Sequence, residues 1–400
     1  MQKIFIISEY SGNGTYYYRA RNPQKYSKRY SIDSNVNFKK NIFFSQTRNF
    51  KKILDSDIVI FLRPLKKENL KLAKLLKKMG FLIFVDNDDL FSQIDKNSSS
   101  FEIRRLRQDK NNIKLMKMAH GVLCTNDCLK KQFKKYNKNI QVFDNYIDFK
   151  EFSQNIEYKK NIKNNKNILI CGSAINKENL HPFNLFLKKL LARNKKIKLY
   201  IFGTEKGYMG TLKQTFNNNR VRFIKKKPFV QYPKTLAKTN CNICLIPRKE
   251  NIFNKCKSAC KFLEMSALKI AVIAKGFKDN KSPYQKVIKQ GKTGFIAQNY
   301  KQWDQKIKIL LNDKQKRDQI SQNAYEFVKN NFDIVQNIAY WDKTVTSLVR
   351  NSNISYKKIQ KSRKPFSKKT IHSLKKQLGL VKEKKFKITI KKIFSLINPQ

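Results

Sequence analysis

Four hundred residues with 40% hydrophobic side chains are enough for more than one core, so the chain is expected to form two domains and a tail. With 29% charged residues and no run near the ~20 apolar residues a spanning helix needs, the composition argues against a membrane-embedded chain. The net charge of +59 admits a polyanion-binding protein, but the excess is mostly Lys beside abundant Asn and Ile, and no nucleic-acid motif accompanies it.

The apolar stretch in MQKIFIISEY is too short for a secretory signal and reads as a first buried strand. An odd seven Cys without such a signal points to free thiols in a reducing compartment. After KIFIIS (3–8) comes a Gly-containing loop, SGNGTYYYRARNP. DIVIFLRP (57–64), FLIFVDNDDL (81–90), GVLCTND (121–127) and IQVFDNYID (140–148) read as further strands. Helices are predicted over 67–80, around 104–118 and at LKKQFKKY. Residues 151–164 are polar, rich in Asn and Lys, and read as a linker.

The pattern then restarts. NILICGS (167–173), KIKLYIFG (196–203), VRFIKK (221–226), CNICLIPR (241–248), IAVIAKG (270–276) and GKTGFIAQN (291–299) read as strands. Helices are predicted near 178–193 and over 257–269, 301–312 and 314–330. Continuous apolar runs separated by helices indicate parallel sheets covered on both faces. The expected fold class is α/β, with two Rossmann-like domains, 1–155 and 165–345, facing across a cleft, and a tail over 351–400.

Ligands of such sheets bind beyond the carboxyl ends of the strands. In the first half those positions are the Gly12-Asn13-Gly14 loop with Arg19, then Arg63, then Asp86, Asp88 and Asp89. In the second half they are Gly172, Ser173, Gly203, Thr204, Arg248 and the segment from Asn254 to Glu264. The predicted 257–269 helix opens with Lys257, Ser258 and Lys261. Ser258 as its cap, with two ammonium groups beside the positive helix end, suits a diphosphate. Glu264, three residues past Lys261, suits a ribose diol; the plainer alternative is a surface Glu paired to Lys261. Its change to Ala is then expected to weaken ligand binding with little loss of fold. Asp88 and Asp89 suit orientation or deprotonation of a hydroxyl, and Arg19 and Arg63 suit bidentate contacts to phosphate. The alternative is that these Asp residues cap the following turn.

Two metal readings compete with this. Asp86-Asn87-Asp88 is a DxD after a strand, and Cys241, Cys244, Cys256 and Cys260 have zinc-like spacing. The first two Cys lie in an apolar run, however, where buried thiols act as small hydrophobes. No metal and no other cofactor is expected. His120, before a strand in MAHGVL, reads as structural.

NKCKSACKFLEMSALKIAVIA, followed by SPYQKVIKQGKTGFIAQNYKQW and NAYEFV, resembles the C-terminal half of GT-B glycosyltransferases of the family 4 type, the glycosyl transferases group 1. YYYRARNP, FLRP and VDNDD extend the resemblance over roughly residues 1–345. It implies a nucleotide-sugar donor, with Glu264 as the ribose-binding second Glu of a paired motif. The first Glu of that motif falls on Cys256, and the usual Gly-x-Pro is Lys269-Ile270-Ala271. A sub-branch has an Asn-x-x-Lys-Ser-x-x-Lys run here, matched by Asn254, Lys257, Ser258 and Lys261. Donor contacts are expected at Gly172, Ser173, Gly203, Arg248, Asn254, Lys257, Ser258, Lys261 and Glu264. Catalytic roles are expected for Asp88, Asp89, Arg19 and Arg63. The expected activity is retaining transfer of a hexose or related sugar to a glycan or lipid-linked acceptor in surface polysaccharide assembly. The rivals are a polyanion-binding protein and an inactive scaffold, the latter motivated by Cys256 and Lys269.

From Asn351 on the chain carries fifteen Lys or Arg and one acid, Glu383. Phe386, Ile390, Ile393, Phe394 and Ile397 fall on one helical face, which predicts a basic amphipathic helix at an anionic membrane surface. A peripheral location on the cytoplasmic face of the membrane is expected, with no nucleic-acid partner.

Overall fold

The computed structural model describes residues 1–9, 12–34, 52–98, 100–160, 166–172, 176–204 and 206–352. Ser173 and the amphipathic stretch of the tail lie outside the described residues. The chain divides into two units, each carrying a six-stranded parallel sheet.

The first unit comprises Met1–Ser92, Ile103–Asp144 and the chain from Ile338 onward. Its strands are β1 (Gln2–Ser8), β2 (Tyr30–Ser34), β3 (Ile58–Leu62), β4 (Leu82–Asn87), β5 (Gly121–Cys124) and β6 (Ile140–Val142). Their order across the sheet is β2-β1-β3-β4-β5-β6. Every residue of β3, β4 and β5 is buried, as helices on both faces require. The sequence did not announce β2, where only Tyr30 is buried, because an edge strand needs no continuous apolar run. The segment expected as one helix near 104–118 is two, Glu102–Arg105 and Gln108–Met118, separated by Arg107 at φ 54°. His120 is structural in geometry: its Nδ1 accepts from the amide of Ile83 at 3.0 Å, and burial depresses its pKa to about 4.

The helix Ile334–Arg350 enters this unit at Ile338. Its apolar face explains why. Trp341 is 1% exposed and meets the Tyr30 ring edge-on at 6.1 Å. The Tyr30 hydroxyl pairs with Thr346 at 2.8 Å, and Ser27 donates to Asp342 at 2.6 Å.

The second unit comprises Gln93–Glu102 and Asn145–Asn337. Its strands are β7 (Asn167–Cys171), β8 (Lys198–Thr204), β9 (Val221–Lys225), β10 (Ile243–Ile246), β11 (Ala271–Lys275) and β12 (Phe295–Ala297), in the order β12-β11-β10-β7-β8-β9. The expected linker is mostly structured. Asp148 caps a helix over Phe149–Ser153 by accepting from the Glu151 amide at 3.1 Å, and a 3₁₀ turn continues to Tyr158. Phe149 and Phe152, three apart on one face, are buried, so this polar-looking segment belongs to the second unit's core.

In the first sheet chain order reverses beside β1, with β2 and β3 on its two sides. In the second it reverses beside β7, flanked by β8 and β10. The crevice outside the carboxyl ends of strands at such a reversal is where open α/β sheets bind ligands. The loops after β1 and β3, and those after β7 and β10, therefore define two candidate edges.

Candidate functional site

At the second unit's edge, β7 runs into Gly172 at φ +64°. A Cβ there would stand 2.3 Å from Cε of Lys261, so a side chain at this position would push the lysine stem off the strand end. Lys261 belongs to the helix Cys260–Ala267, which starts later than the sequence predicts. Asn251 caps a separate short helix, Ile252–Lys255, by accepting from the Asn254 amide at 2.8 Å. A turn through Lys257 and Ser258 must follow before a second helix can begin. The N-cap is consequently Ala259, with no side-chain cap, and the expected capping role of Ser258 is corrected. Ser258 Oγ instead accepts from Asn145 Nδ2 at 3.2 Å and lies 3.0 Å from Cys260 Sγ. Lys257 stands ahead of the helix with its ammonium 4.4 Å from the Phe253 ring centre.

Lys261 bonds Glu264 and also donates to the Tyr232 hydroxyl at 3.0 Å; that hydroxyl donates to Glu264 Oε2 at 2.9 Å. Glu264 is 1% exposed, so it is no surface carboxylate. Burial disfavours the Lys261 charge, yet Glu264 outweighs it and its pKa lies above the ordinary value. Tyr232 follows β9 in an ordinary amphipathic pattern, and nothing in the sequence marks it.

Arg248 leaves β10 into a buried network. Its Nη1 reaches Asn254 Oδ1 at 3.5 Å and its Nη2 reaches the Tyr284 hydroxyl at 3.4 Å, both long for hydrogen bonds. Among the described residues no carboxylate pairs with it, and its Nε has no partner. Asn254 is fully buried and donates to Asn179 Oδ1 at 3.1 Å and to the Lys249 carbonyl at 2.9 Å, so it holds the loop together. Gly203 takes φ +99° where β8 breaks register. The four cysteines with zinc-like spacing do not converge: among the described residues no group of three or more His, Cys, Asp or Glu is placed to hold a metal. Cys241 and Cys244 are fully buried, and burial pushes the Cys241 thiol up to about 12.

At the first unit's edge, Arg63 follows β3 at φ 48°. A non-glycine residue in that region costs about 1–2 kcal/mol, and such strain clusters at functional sites. Its fork spans two carboxylates: Nε bonds Asp88, and Nη2 bonds Asp89 at 2.7 Å. Thr15, at the start of the loop helix capped by Asn13, donates to Asp88 at 2.9 Å. Burial works against the Arg63 charge, but Asp88 and Asp89 more than offset it and raise its pKa.

Arg19 does not join this edge. It lies in a π-helical turn, Tyr17–Arg21, which points it inward at 1% exposure. Its Nε donates to both Asp86 oxygens at 3.0 and 3.1 Å, and Nη1 donates to the Phe143 carbonyl. The expected phosphate contact at Arg19 is therefore corrected to a buried clamp. Asp86 and Asp88 serve different arginines and present no joint carboxylate pair.

Residues 152–327 match the family model described as glycosyl transferases group 1. A comparison with curated protein sequences gives no match. Among solved structures, the chain is similar to sucrose-phosphate synthase from Thermosynechococcus elongatus at 13% identity, covering 87% of this chain and 100% of that one, with a TM-score of 0.64. It is similar to HepE from Anabaena in complex with UDP and glucose, at 14% identity over 87% and 100% of the two chains and a TM-score of 0.60. A glycosyltransferase from Rickettsia africae ESF-5 gives 15% identity over 88% and 99%, with a TM-score of 0.58. At these identities the likeness is one of fold.

Proposed function

Residues 152–327 belong to the glycosyl transferases group 1 family and the chain has the GT-B fold; on that premise we propose that it transfers a hexose or related sugar from a nucleotide-sugar donor to a glycan or lipid-linked acceptor. The observation that carries the reading is the buried Arg248 guanidinium at the β7/β10 edge, which has no carboxylate partner among the described residues. A buried cation with no carboxylate at ion-pair distance among the described residues is costly, and a diphosphate is the anion this edge suits. Lys261, Lys257 and the uncapped start of the Cys260–Ala267 helix add to the same field. Glu264 takes the ribose hydroxyls, with Gly172, Gly203, Asn254 and Ser258 shaping the edge.

The acceptor is assigned to the first unit's edge, with Arg63, Asp88 and Asp89 orienting its hydroxyl. In retaining transfer the donor C1–phosphate bond breaks, the acceptor oxygen bonds C1, and the acceptor proton passes to the leaving phosphate oxygen. No metal is needed in this reading.

Calorimetry with UDP and uridine tests the reading. Arg248→Gln should bind UDP at least tenfold more weakly, since a hydrogen bond to a charged group contributes about 1.5–3 kcal/mol, while uridine affinity stays the same. The difference should persist in EDTA. Equal losses for UDP and uridine, or no binding of UDP or UDP-sugars by the full chain, would sink the assignment.

The acceptor reading extends to surface polysaccharide assembly at the cytoplasmic face of the membrane. No helix among the described residues is long and apolar enough to cross a membrane, and the tail from 353 carries the basic amphipathic pattern. Basic residues near an anionic surface contribute about 1 kcal/mol each, so partial engagement suffices. Deleting 351–400 should release the protein from anionic vesicles in a sedimentation assay and leave UDP binding intact. Unchanged sedimentation would locate the anchor elsewhere.

A further inference from the structure

Beside the Arg248 network, three more polar groups are short of partners. Glu178 lies on the short helix Lys177–Leu180 that follows β7; it is 3% exposed and its Oε2 makes no hydrogen bond. Asn184, 8% exposed, opens the next helix with Oδ1 unbonded. Tyr208, on the helix after β8, has a buried hydroxyl that makes no hydrogen bond. Arg248 Nε is the fourth such atom.

These groups converge. Glu178 is close enough to Arg248 to feel its charge, the Tyr208 hydroxyl is close enough to feel that of Glu178, and the amide of Asn184 borders the same hydroxyl. Asn179, the next residue, accepts from the Lys249 amide at 2.8 Å and from Asn254 at 3.1 Å, which ties this turn to the Arg248 loop. An unpaired buried polar atom costs about 1–3 kcal/mol, and four around one spot need a common explanation.

The chemistry of the set selects the ligand. A diphosphate at Arg248 leaves Glu178, Asn184 and Tyr208 unanswered, and the Glu178 carboxyl would repel a further phosphate. An apolar group would leave all four atoms unpaired. Glu178 and Asn184 offer acceptors, Arg248 offers a donor and Tyr208 either. Neighbouring hydroxyls, each both donor and acceptor, satisfy the whole set. We propose that Glu178, Asn184 and Tyr208, beside the diphosphate-binding Arg248, form the pocket that reads the hydroxyls of the transferred sugar, and that Glu178 and Tyr208 determine which sugar is accepted. This rests on the donor reading above and assigns to the sugar residues that neither the sequence nor the family match singled out. The ribose, given to Glu264, is a second diol in the same donor, so the test must separate the two.

UDP carries the ribose and diphosphate without the sugar; UDP-glucose carries all three. Glu178→Gln in the full chain should bind UDP as the wild type does and UDP-glucose about tenfold more weakly, the loss expected for one hydrogen bond to a charged group. Tyr208→Phe, which removes one oxygen at a less buried position, should show the same split and serves if Glu178→Gln fails to fold. A screen of UDP-hexoses epimeric at single hydroxyls should lose discrimination in both variants. Equal affinities in wild type and variants for both ligands would overturn the inference while leaving the donor reading intact. Equal losses for UDP and UDP-glucose would assign these residues to the nucleotide and overturn it as well. If the wild type binds no UDP-sugar at all, the donor reading itself falls.

Discussion

Arg19→Met is expected to destabilise the first unit by about 3–5 kcal/mol, the usual cost of removing one partner of a buried ion pair. Met fills the volume of the Arg stem but leaves the Asp86 carboxyl, 2% exposed, with no cation against it. The Phe143 carbonyl loses its donor at the same time. The pH dependence identifies the cause. Burial raises the Asp86 pKa and Arg19 opposes the rise, so without Arg19 it climbs further. A carboxyl with a raised folded pKa stabilises the fold when protonated, below its unfolded value near 3.9, and loses that stability as pH rises. The deficit should therefore widen as pH rises through the raised wild-type Asp86 pKa and towards the higher one of the variant, by up to about 1.4 kcal/mol per pH unit. Urea unfolding at several pH values measures this. A deficit flat with pH would mean that Asp86 is not the group left exposed to the core.

For Glu264→Ala the expected cost is similar, about 3–5 kcal/mol, together with a loss of UDP affinity. The sequence alone predicts little harm to the fold, because it places Glu264 at an open edge. The structure reverses that expectation: the carboxylate is 1% exposed and receives both Lys261 and Tyr232. Ala leaves the Lys261 ammonium buried against a hydroxyl alone. Glu264→Gln keeps an acceptor for Tyr232 and should cost clearly less than Ala. The Lys261 pKa lies above its ordinary 10.5, so the lysine's share of the stabilisation is complete at neutral pH and is lost as pH rises through that raised value. Guanidinium unfolding of both variants, with UDP calorimetry under native conditions, separates the structural from the binding effect. A Glu264→Ala protein as stable as wild type would show that the ion pair is not formed in solution.

Some of this architecture follows from the sequence by itself. Among the described residues, eleven of the twelve strands fall in the apolar runs read from the sequence, and the central ones do so because a strand buried on both faces must be apolar throughout. The i,i+3 spacing of Lys261 and Glu264 already places them on one helix face, and the basic tail is a matter of composition. The tertiary structure alone decided the rest. Strand order, and with it the reversal beside β1 and β7, depends on pairings between segments far apart in sequence. β2 hides its strand character because edge pairing needs no apolar pattern. Ala259 rather than Ser258 became the helix N-cap because Asn251 had already claimed the preceding turn. Arg19 and Arg63 read alike in sequence, yet a π-helical turn sends one into the core while a left-handed residue holds the other at the edge. That Arg248 Nε and Glu178 Oε2 find no partner is likewise invisible in one dimension, since it is set by what separate elements fail to supply to one another.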